Sequence, residues 1–401
     1  MSFKFDFSPA VGEGGDDDSA NSSCDLRGRL IADANETIEK LVERSKKNAG
    51  ACTLVNASSK ILSVDNDNRE SKTSGDDEFR PNLRFHPHES IDLCSSKMDR
   101  LRYVIPKHTI SDDTTDLIPG VYEGGLKVWE CSVDLCRFLA RVIDDLSIDA
   151  TSSATSDADL DVLRGAVRRS LGPGGSTMEL GCGHGLPGCL ILRENIRKMF
   201  KQDKKVNGTA NSDDNSVVIF TDFNDFVLHH ATIPNAQLNV CGLRGEDGVA
   251  MDEFRTAKAL VERSIFAGGD WMGISHKLSS GNCPLPVALH QNQEEGNRLD
   301  LILASETTYT PESCQDTAFL MLRHLKIDDG AGLVATKRFY FGVGGGTDLF
   351  KAACETLSMS DQGPYSGLRL CVRTVQSYDT GNANIRDLLF VTLHQKVDGK
   401  R

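Results

Sequence analysis

Residues 178–188 have the sequence Met-Glu-Leu-Gly-Cys-Gly-His-Gly-Leu-Pro-Gly, and this stretch decides the fold class of the chain. An apolar run typical of a buried strand ends beside Glu179, three glycines follow at alternate positions, and a helix-forming sequence begins at about Leu190. Glycines at a turn from strand to helix let the backbone adopt positive φ and let a ligand lie against the main chain. The stretch therefore predicts a site for a nucleoside-bearing cofactor.

From residue 116 onward, segments typical of strands and of helices alternate along the chain. The predicted strands are Thr177–Leu180, Val217–Thr221, Ser264–Phe266, Leu299–Ala304 and Leu333–Phe339, and the predicted helices are Ser132–Asp144, Gly188–Phe200, Phe226–Asn239 and Cys314–Leu325. Such alternation indicates a parallel sheet with helices on both faces. The end differs, because Leu368–Val375 and Asp387–His394 are β-rich runs with no helix between them, which predicts a terminal hairpin.

The N-terminal part of the chain has a different composition from the rest. Residues 1–80 are rich in Ser, Asn, Asp and Gly, and only Leu30–Val42 has a helical pattern, so we expect this segment to be largely disordered. Residues 81–115 are expected to form an extension that packs on the core, with a strand at Arg102–Ile105, and residues 116–397 form the main domain. Polar stretches expected to be surface insertions are Lys201–Ser216, Arg244–Arg255 and Met272–Arg298.

The composition excludes several classes of function. A net charge of −13 with no basic stripe argues against a direct nucleic-acid site and suits a basic protein partner. The 12 cysteines form no C-x-x-C pair, which favours reduced thiols over a zinc site or a disulfide framework. No apolar run approaches the ~18 residues of a membrane span, and the first residues lack a signal-peptide core. We therefore expect a soluble intracellular protein without a metal or membrane site.

Two cofactor classes fit the glycine turn. Residues 183–188 satisfy the G-x-G-x-x-G pattern of dinucleotide sites, but Glu179 would place a negative charge beside a pyrophosphate. S-adenosylmethionine instead carries a cationic sulfonium, an ammonium group and a ribose, and it has no phosphate. Asp222 after the second strand suits the ribose, and Asp270 and Trp271 after the third supply an acid for the adenine amino group and an aromatic face. We therefore predict S-adenosylmethionine rather than NAD.

Further segments narrow the prediction to one family. Residues 120–131 (GVYEGGLKVWEC), 300–309 (DLILASETTY) and 340–346 (YFGVGGG) resemble the protein-histidine N-methyltransferases, seven-β-strand class I enzymes that methylate a histidine of a large-subunit ribosomal protein. The resemblance covers about residues 115–395. It implies an α/β, Rossmann-like seven-stranded sheet, mostly parallel with a C-terminal antiparallel hairpin. It also implies a basic large-subunit ribosomal protein as substrate, a monomer, and a location in cytoplasm and nucleus.

The resemblance also implies which residues form the site. Cofactor contacts are expected at Val128, Trp129, Glu130, Cys131, Glu179, Gly181, Gly183, Asp222, Phe223, Asn224, Gly269, Asp270, Trp271 and Ser305. Neutral imidazole already has a lone pair at pH 7, so a histidine-specific site needs an acceptor for the other ring N–H. Candidates for this catalytic role are Glu306, Tyr309 and Asn224, and the sequence does not choose among them. The loop Phe341–Gly346 is expected to close on the acceptor and form its mouth.

Other interpretations stay open at the level of sequence. Trp129 also fits a core position, Asn224 a helix cap and Glu306 a carboxylate at a helix N-terminus. At the level of function, the alternatives are a lysine methyltransferase of the same architecture, a noncatalytic cofactor-binding ribosome assembly factor, and a nicotinamide-dependent oxidoreductase.

Overall fold

The computed structural model describes residues 19–58, 61, 88–95, 98, 100–105, 124–146, 158–205, 215–241, 243–244, 250–280, 298–381 and 384–396. Its strands are β1 Thr53–Leu54, β2 His88–Ile91, β3 Leu101–Val104, β4 Ser176–Leu180, β5 Val217–Asp222, β6 Ser264–Gly268, β7 Leu301–Ser305, β8 Ala331–Lys337, β9 Leu368–Tyr378 and β10 Arg386–Gln395. Its helices are α1 Ser19–Asn48, α2 Glu130–Asp145, α3 Ala158–Ser170, α4 Leu186–Lys205, α5 (Asp225–Val227, the π-helical turn Leu228–Thr232, and Ile233–Val240), α6 Glu253–Arg263, α7 Trp271–Ser279, α8 Pro311–His324 and α9 Thr347–Leu357.

The main sheet has the order β1-β6-β5-β4-β7-β8-β10-β9. Strands β6, β5, β4, β7 and β8 run parallel, β10 pairs antiparallel with β8, and β9 pairs antiparallel with β10. This order confirms the mostly parallel α/β sheet with a C-terminal antiparallel hairpin. The two-residue strand β1 is an addition to the expected seven, and it pairs antiparallel with the edge strand β6.

Both faces of the sheet are buried, which is why the parallel strands have nearly continuous apolar sequences. Alternate residues of β7 enter opposite cores: Leu301 and Leu303 pack with the layer of α2 to α6, whereas Ile302 and Ala304 pack with the layer of α1, α7, α8 and α9. The two helix layers therefore hold the parallel strands between them, and the strands' carboxyl ends meet at one edge.

The predicted helices and strands occur close to their expected limits, with three corrections among the polar stretches. Helix α4 continues to Lys205, inside the expected insertion Lys201–Ser216. Helix α6 begins inside the expected insertion Arg244–Arg255, where the side chain of Asp252 caps it by accepting a hydrogen bond from the Arg255 amide at 2.6 Å. Helix α7 occupies the start of the expected insertion Met272–Arg298, and Met272 is fully buried in its core. Tertiary packing of one apolar face explains why these polar sequences are helical.

The N-terminal segment is also corrected where it is described. Helix α1 buries Ala34, Ile38 and Leu41, and β1 extends the sheet after it, with the Val55 amide donating to the Phe266 carbonyl at 2.8 Å. The spacing of these buried residues is that of one helical face, so packing against the sheet's helices orders a sequence of low overall hydrophobicity. Residues 1–18 and most of 59–87 lie outside the described part of the chain.

The described part of the segment 81–115 is the β2–β3 hairpin, which packs on α5. The side-chain oxygens of Asn235 and Asn239 accept hydrogen bonds from the amides of Val104 and Arg102, at 2.7 and 2.9 Å. The domain limits themselves remain predictions. None of the described helices is long and apolar enough to cross a membrane.

Candidate active site

A cavity of about 390 Å³ lies at the carboxyl ends of β4, β5, β6 and β7. Its volume is in the range of small-molecule sites. The predicted residues in its wall are Val128, Trp129, Gly181, Gly183, Asp222, Phe223, Asp270, Trp271, Ser305, Glu306 and Tyr309. The predicted residues outside its wall are Glu130, Cys131, Glu179, Asn224 and Gly269. The parallel sheet thus brings together residues from four separate segments.

The glycine turn presents bare main chain to the cavity. Gly181 and Gly183 have φ of +53° and +51°, in the left-handed region that favours glycine. A Cβ on Gly181 would lie 3.0 Å from the indole carbon Cζ2 of Trp271. The Gly183 amide donates to Oδ2 of Asp222 at 2.9 Å, so the turn is fixed to the end of β5.

Asp222 is the buried acid at the end of β5. Besides Gly183, it accepts a hydrogen bond from the Asn224 amide, at 3.0 Å to Oδ1. A carboxylate only accepts hydrogen bonds, so this residue type suits ligand hydroxyls such as those of a ribose. Asn224 itself precedes α5, makes no capping hydrogen bond with its side chain and lies outside the cavity wall, and its expected catalytic role stays a prediction.

The next acid and aromatic pair, Asp270 and Trp271, begins α7. Oδ1 of Asp270 accepts the Gly273 amide at 3.1 Å and caps the helix. Gly269 supports this corner from behind, because its amide donates to the Asp222 carbonyl at 2.9 Å. The Trp271 indole is half-buried beside Gly181, and its Nε1 has no hydrogen-bond partner among the described residues.

Glu179 has a different position from the one expected. It is buried behind the glycine turn, where Oε2 accepts the Gly188 amide at 2.8 Å, and it does not line the cavity. Burial is the main cause that raises the pKa of its carboxyl to about 8. Glu179 therefore fixes the start of α4 and supports the turn, because a carboxyl in the core binds the nearest unsatisfied helix amide.

Trp129 and Lys127 lie in another part of the cavity wall, and Lys337 lies close to the Trp129 ring. The indole N–H donates to the Gly124 carbonyl at 3.1 Å, and the Nζ atoms of Lys127 and Lys337 lie 4.5 and 5.2 Å from the ring centroid. The expected contacts at Glu130 and Cys131 are not found in the wall, because Glu130 points outward at the start of α2 and Cys131 is fully buried. Burial and the neighbouring Glu306 carboxylate raise the pKa of the Cys131 thiol well above its usual value.

Glu306 follows β7 and is the most constrained acid of the site. Its φ is +55°, an uncommon value for a residue other than glycine, and such strain is concentrated at functional sites. The Tyr340 hydroxyl donates to Oε2 at 2.5 Å, and Nζ of Lys337 lies 3.9 Å from Oε1. Within the described chain, Oε1 has no hydrogen-bond partner. Tyr340 and Lys337 were not predicted as site residues, although Tyr340 opens the segment 340–346 that carried the resemblance.

The glycine-rich loop after β8 is partly fixed. The Gly345 and Gly346 amides donate to the carbonyls of Tyr309 and Thr308, at 3.0 and 2.9 Å. Val343 lines the cavity, whereas Phe341 at the tip is 81% exposed. The loop therefore borders the cavity through Val343. The hydrogen bonds of Gly345 and Gly346 fix its C-terminal end, so the closing movement predicted from the sequence is restricted to the tip.

The described cavity wall is strongly acidic. It contains the carboxylates of Asp222, Asp270, Glu306, Glu312 and Asp316 and one lysine, Lys127. His184, also in the wall, is neutral at pH 7, because burial lowers the pKa of its imidazole to about 4. This charge fits a cationic ligand without phosphate and disfavours a pyrophosphate. In the described chain, no group of three His, Cys, Asp or Glu side chains could hold a metal ion.

Sequence reasoning missed Glu312 and Asp316. They lie four residues apart on α8, which places both on one helix face directly after Tyr309. That spacing was visible in the sequence, but the side of α8 facing the cavity was not.

Comparison with known proteins gives a consistent set of relatives, although no protein-family model matches the chain. The chain is 29% identical over 280 residues to the histidine protein methyltransferase 1 homolog of Dictyostelium discoideum, covering 70% of this chain and 61% of that protein. It is 29% identical to the homolog of Bos taurus, covering 62% and 55%, and 27% identical to histidine protein methyltransferase 1 of Saccharomyces cerevisiae, covering 66% and 65%. The chain thus spans 55 to 65% of the length of these relatives.

Solved structures give only distant matches. The O-methyltransferase TomG of Streptomyces achromogenes, solved with SAM, is 9% identical, with a TM-score of 0.32 and coverage of 67% of this chain and 91% of that one. An O-methyltransferase of Bacillus cereus in complex with SAH is 8% identical, with a TM-score of 0.31 and coverage of 67% and 92%. The fold assignment rests on the strand order itself.

By sequence, the chain is a relative, over 62 to 70% of its length, of the proteins named histidine protein methyltransferase 1.

Proposed function

We propose that the protein is an S-adenosylmethionine-dependent protein-histidine N-methyltransferase. The names of its sequence relatives support this assignment. The observation that carries it is Glu306, a strained and nearly buried carboxylate with one oxygen lacking a hydrogen bond, in the same cavity wall as the glycine turn and Asp222.

The cavity wall offers groups for each part of the cofactor. Asp222 would bind the ribose hydroxyls, and Trp271 with Asp270 would bind the adenine. The main chain at Gly181 and Gly183 would lie along the remainder of the cofactor. When bound, S-adenosylmethionine supplies a methyl group on a cationic sulfonium, and the acidic wall favours that charge.

Glu306 would bind the acceptor imidazole. Its Oε1 accepts the N–H of the ring nitrogen that does not react, which fixes the tautomer and turns the other nitrogen's lone pair toward the methyl group. As the methyl group passes to the ring nitrogen, its bond to the sulfonium sulfur would break and leave a neutral thioether, while the ring gains the positive charge that the carboxylate would stabilise. The N–H proton then leaves, through Glu306 or to water, as the neutral methylated ring is released.

The protonation state of the acceptor favours histidine over lysine. A lysine acceptor, with a reference pKa of about 10.4, arrives as an ammonium ion and must lose a proton before its nitrogen can attack. A neutral imidazole already carries a lone pair at pH 7 and needs only an acceptor for its other ring N–H, which Oε1 of Glu306 would provide.

Charge supports a proposal for the substrate. We propose a basic large-subunit ribosomal protein, because the chain has a net charge of −13 and the cavity mouth includes the exposed carboxylate of Glu312. We further propose that the protein acts as a monomer in the cytoplasm and nucleus.

Ligand retention tests the cofactor part of this proposal. Equilibrium dialysis of the full chain should retain S-adenosylhomocysteine and not NADH, whereas retention of NADH alone would favour an oxidoreductase. The variant Gly183→Arg should lose cofactor, because even a Cβ at this position would lie 3.1 Å from the Gly125 carbonyl oxygen. If that variant kept full cellular function, the noncatalytic assembly factor would be the better explanation.

A further inference from the structure

Helix α1 reaches the cavity wall through one residue, Arg44. Its Nη1 lies 2.6 Å from Oε1 of Glu312, and its Nη2 forms a short ion pair with Oδ2 of Asp316. Both acids belong to α8 and line the cavity. The N-terminal segment, which the family resemblance does not cover, therefore touches the site.

Asp316 is a buried acid with an incomplete set of hydrogen bonds. The residue is 8% exposed and lines the cavity, and Arg44 binds one of its carboxylate oxygens. The other oxygen, Oδ1, has no hydrogen-bond partner in the part of the chain that the structure describes. A buried acceptor without a donor is costly, so this arrangement favours a ligand that brings an N–H or O–H group.

Asp316 lies near the residues to which the proposed function assigns the adenine. It interacts electrostatically with Asp270, the residue before the Trp271 indole. Asp270 already uses Oδ1 to cap α7 through the Gly273 amide. Asp316 is therefore a second acid in this corner, and its Oδ1 is buried without a hydrogen-bond partner among the described residues.

The position of α1 is fixed by contacts with the same corner. The Cys52 thiol, which follows α1, donates to the Asp270 carbonyl at 3.3 Å. The Asn48 carbonyl packs so closely on Gly273 that a Cβ there would lie 2.5 Å from its oxygen. Lys277 donates to the Cys52 carbonyl, and β1 then pairs with β6. Arg44 thus belongs to an element anchored directly beside Trp271.

We propose that α1 is part of the cofactor site, where Arg44 orients Asp316 so that its unpaired oxygen accepts a hydrogen bond from the exocyclic amino group of adenine. This inference rests on the proposed cofactor. Adenine presents that amino group as a donor at its edge, and the other N–H donor of the cofactor, the methionine ammonium, belongs at the end of the molecule away from the aromatic slot. Burial raises the pKa of the Asp316 carboxyl to about 6 and Arg44 opposes this shift, so at pH 7 the group is mainly a carboxylate, which can only accept.

The test compares two ligands that differ at this one group. S-inosylhomocysteine carries a carbonyl oxygen where S-adenosylhomocysteine carries the amino group. Titration calorimetry on the full chain should show that the wild type binds the inosine compound at least about tenfold more weakly, since a buried acceptor loses its donor. Equal affinities would overturn the proposal without any mutation.

Variants test whether Asp316 and Arg44 cause the difference in affinity between the two ligands. Asp316→Asn should bind S-adenosylhomocysteine about tenfold more weakly and should lose most of the discrimination, because its amide can donate to the inosine carbonyl. Arg44→Met should show the same pattern, and Arg44→Lys should recover part of the affinity. Lys40→Gln, which alters an exposed pair on the same helix, is the matched control and should keep both affinities.

The outcomes separate this inference from the proposed function. Suppose that the wild type binds S-adenosylhomocysteine. If the Asp316→Asn variant is folded, as judged by its melting temperature, and still discriminates between the two ligands as strongly as the wild type, only the role of Asp316 is overturned. A wild type that binds neither compound would overturn both the cofactor and this inference. Wild-type affinity in Arg44→Met would remove α1 from the site.

Discussion

At the scale of single residues, Glu306 combines backbone strain, burial and a specific partner. Its side chain is 7% exposed, its φ is +55°, and the Tyr340 hydroxyl binds one oxygen at 2.5 Å. Replacing it tests whether this carboxylate serves the acceptor or only the fold.

We expect Glu306→Gln to lower kcat by about 10²- to 10⁴-fold while changing the affinity for S-adenosylhomocysteine less than about threefold. Glutamine keeps the length of the side chain and removes the charge that stabilises the imidazolium. Methyl transfer measured at saturating cofactor, with calorimetry for binding, separates the two effects. Wild-type turnover would exclude Glu306 from the chemistry.

Glu179 supports a prediction about stability rather than activity. Burial raises the pKa of its carboxyl from an ordinary 4.5 to about 8, so the folded protein holds a proton that the unfolded chain releases above about pH 4.5. The free energy of unfolding should therefore fall as pH rises from about 5 to 8, by on the order of a few kcal/mol from this group.

Glu179→Gln removes this dependence and keeps an acceptor for the Gly188 amide. Its melting temperature should fall less between about pH 5 and 8 than that of the wild type, as measured by calorimetry in both proteins. The same decrease in both would show that Glu179 is ionised in the folded state.

At the scale of elements, the loop after β8 is tied to Tyr309 through a site with no room for a side chain. A Cβ on Gly345 would lie 2.2 Å from the Tyr309 carbonyl carbon. We expect Gly345→Val to displace Tyr309 and to reduce kcat roughly tenfold or more, with a smaller effect on cofactor affinity.

Gly342→Ala is the control within the same loop. Gly342 has open space around its Cβ position, although its φ of +82° makes alanine mildly unfavourable there. Turnover and cofactor affinity should be measured for both variants. Turnover of Gly345→Val at the wild-type level would remove the loop from the mechanism.

Some elements could be predicted from sequence because burial leaves a local pattern. β5 and β7 are apolar on both faces, and their predicted limits are within two residues of those observed. β8 ends at Lys337 rather than Phe339, because its pairing with β10 ends there and Phe339 is 55% exposed. The long helix α1 was expected only in part, since its order depends on packing against helices more than 200 residues away.

At the scale of the whole molecule, the site could also be predicted only where the sequence carries a local pattern. Parallel strands end at one edge, so the sequence alone could place Asp222, Asp270 and Glu306 together. The positions of Glu179 and Asn224 outside the cavity wall could not be predicted, because a shift of one residue along the chain decides whether a side chain faces the cavity or the core. Arg44 reaches the site from another layer, for which no local signal exists.

The molecule as a whole is proposed to place a cationic methyl donor beside a carboxylate that selects neutral imidazole. The most direct test is methyl transfer from isotope-labelled S-adenosylmethionine to purified large-subunit ribosomal proteins, with the modified residue mapped by mass spectrometry. We expect a single methyl group on an imidazole nitrogen of one histidine, and a rate of labelling at least about a hundredfold lower with Glu306→Gln at matched protein concentration. A methylated lysine, above all a trimethylated one, would contradict the account.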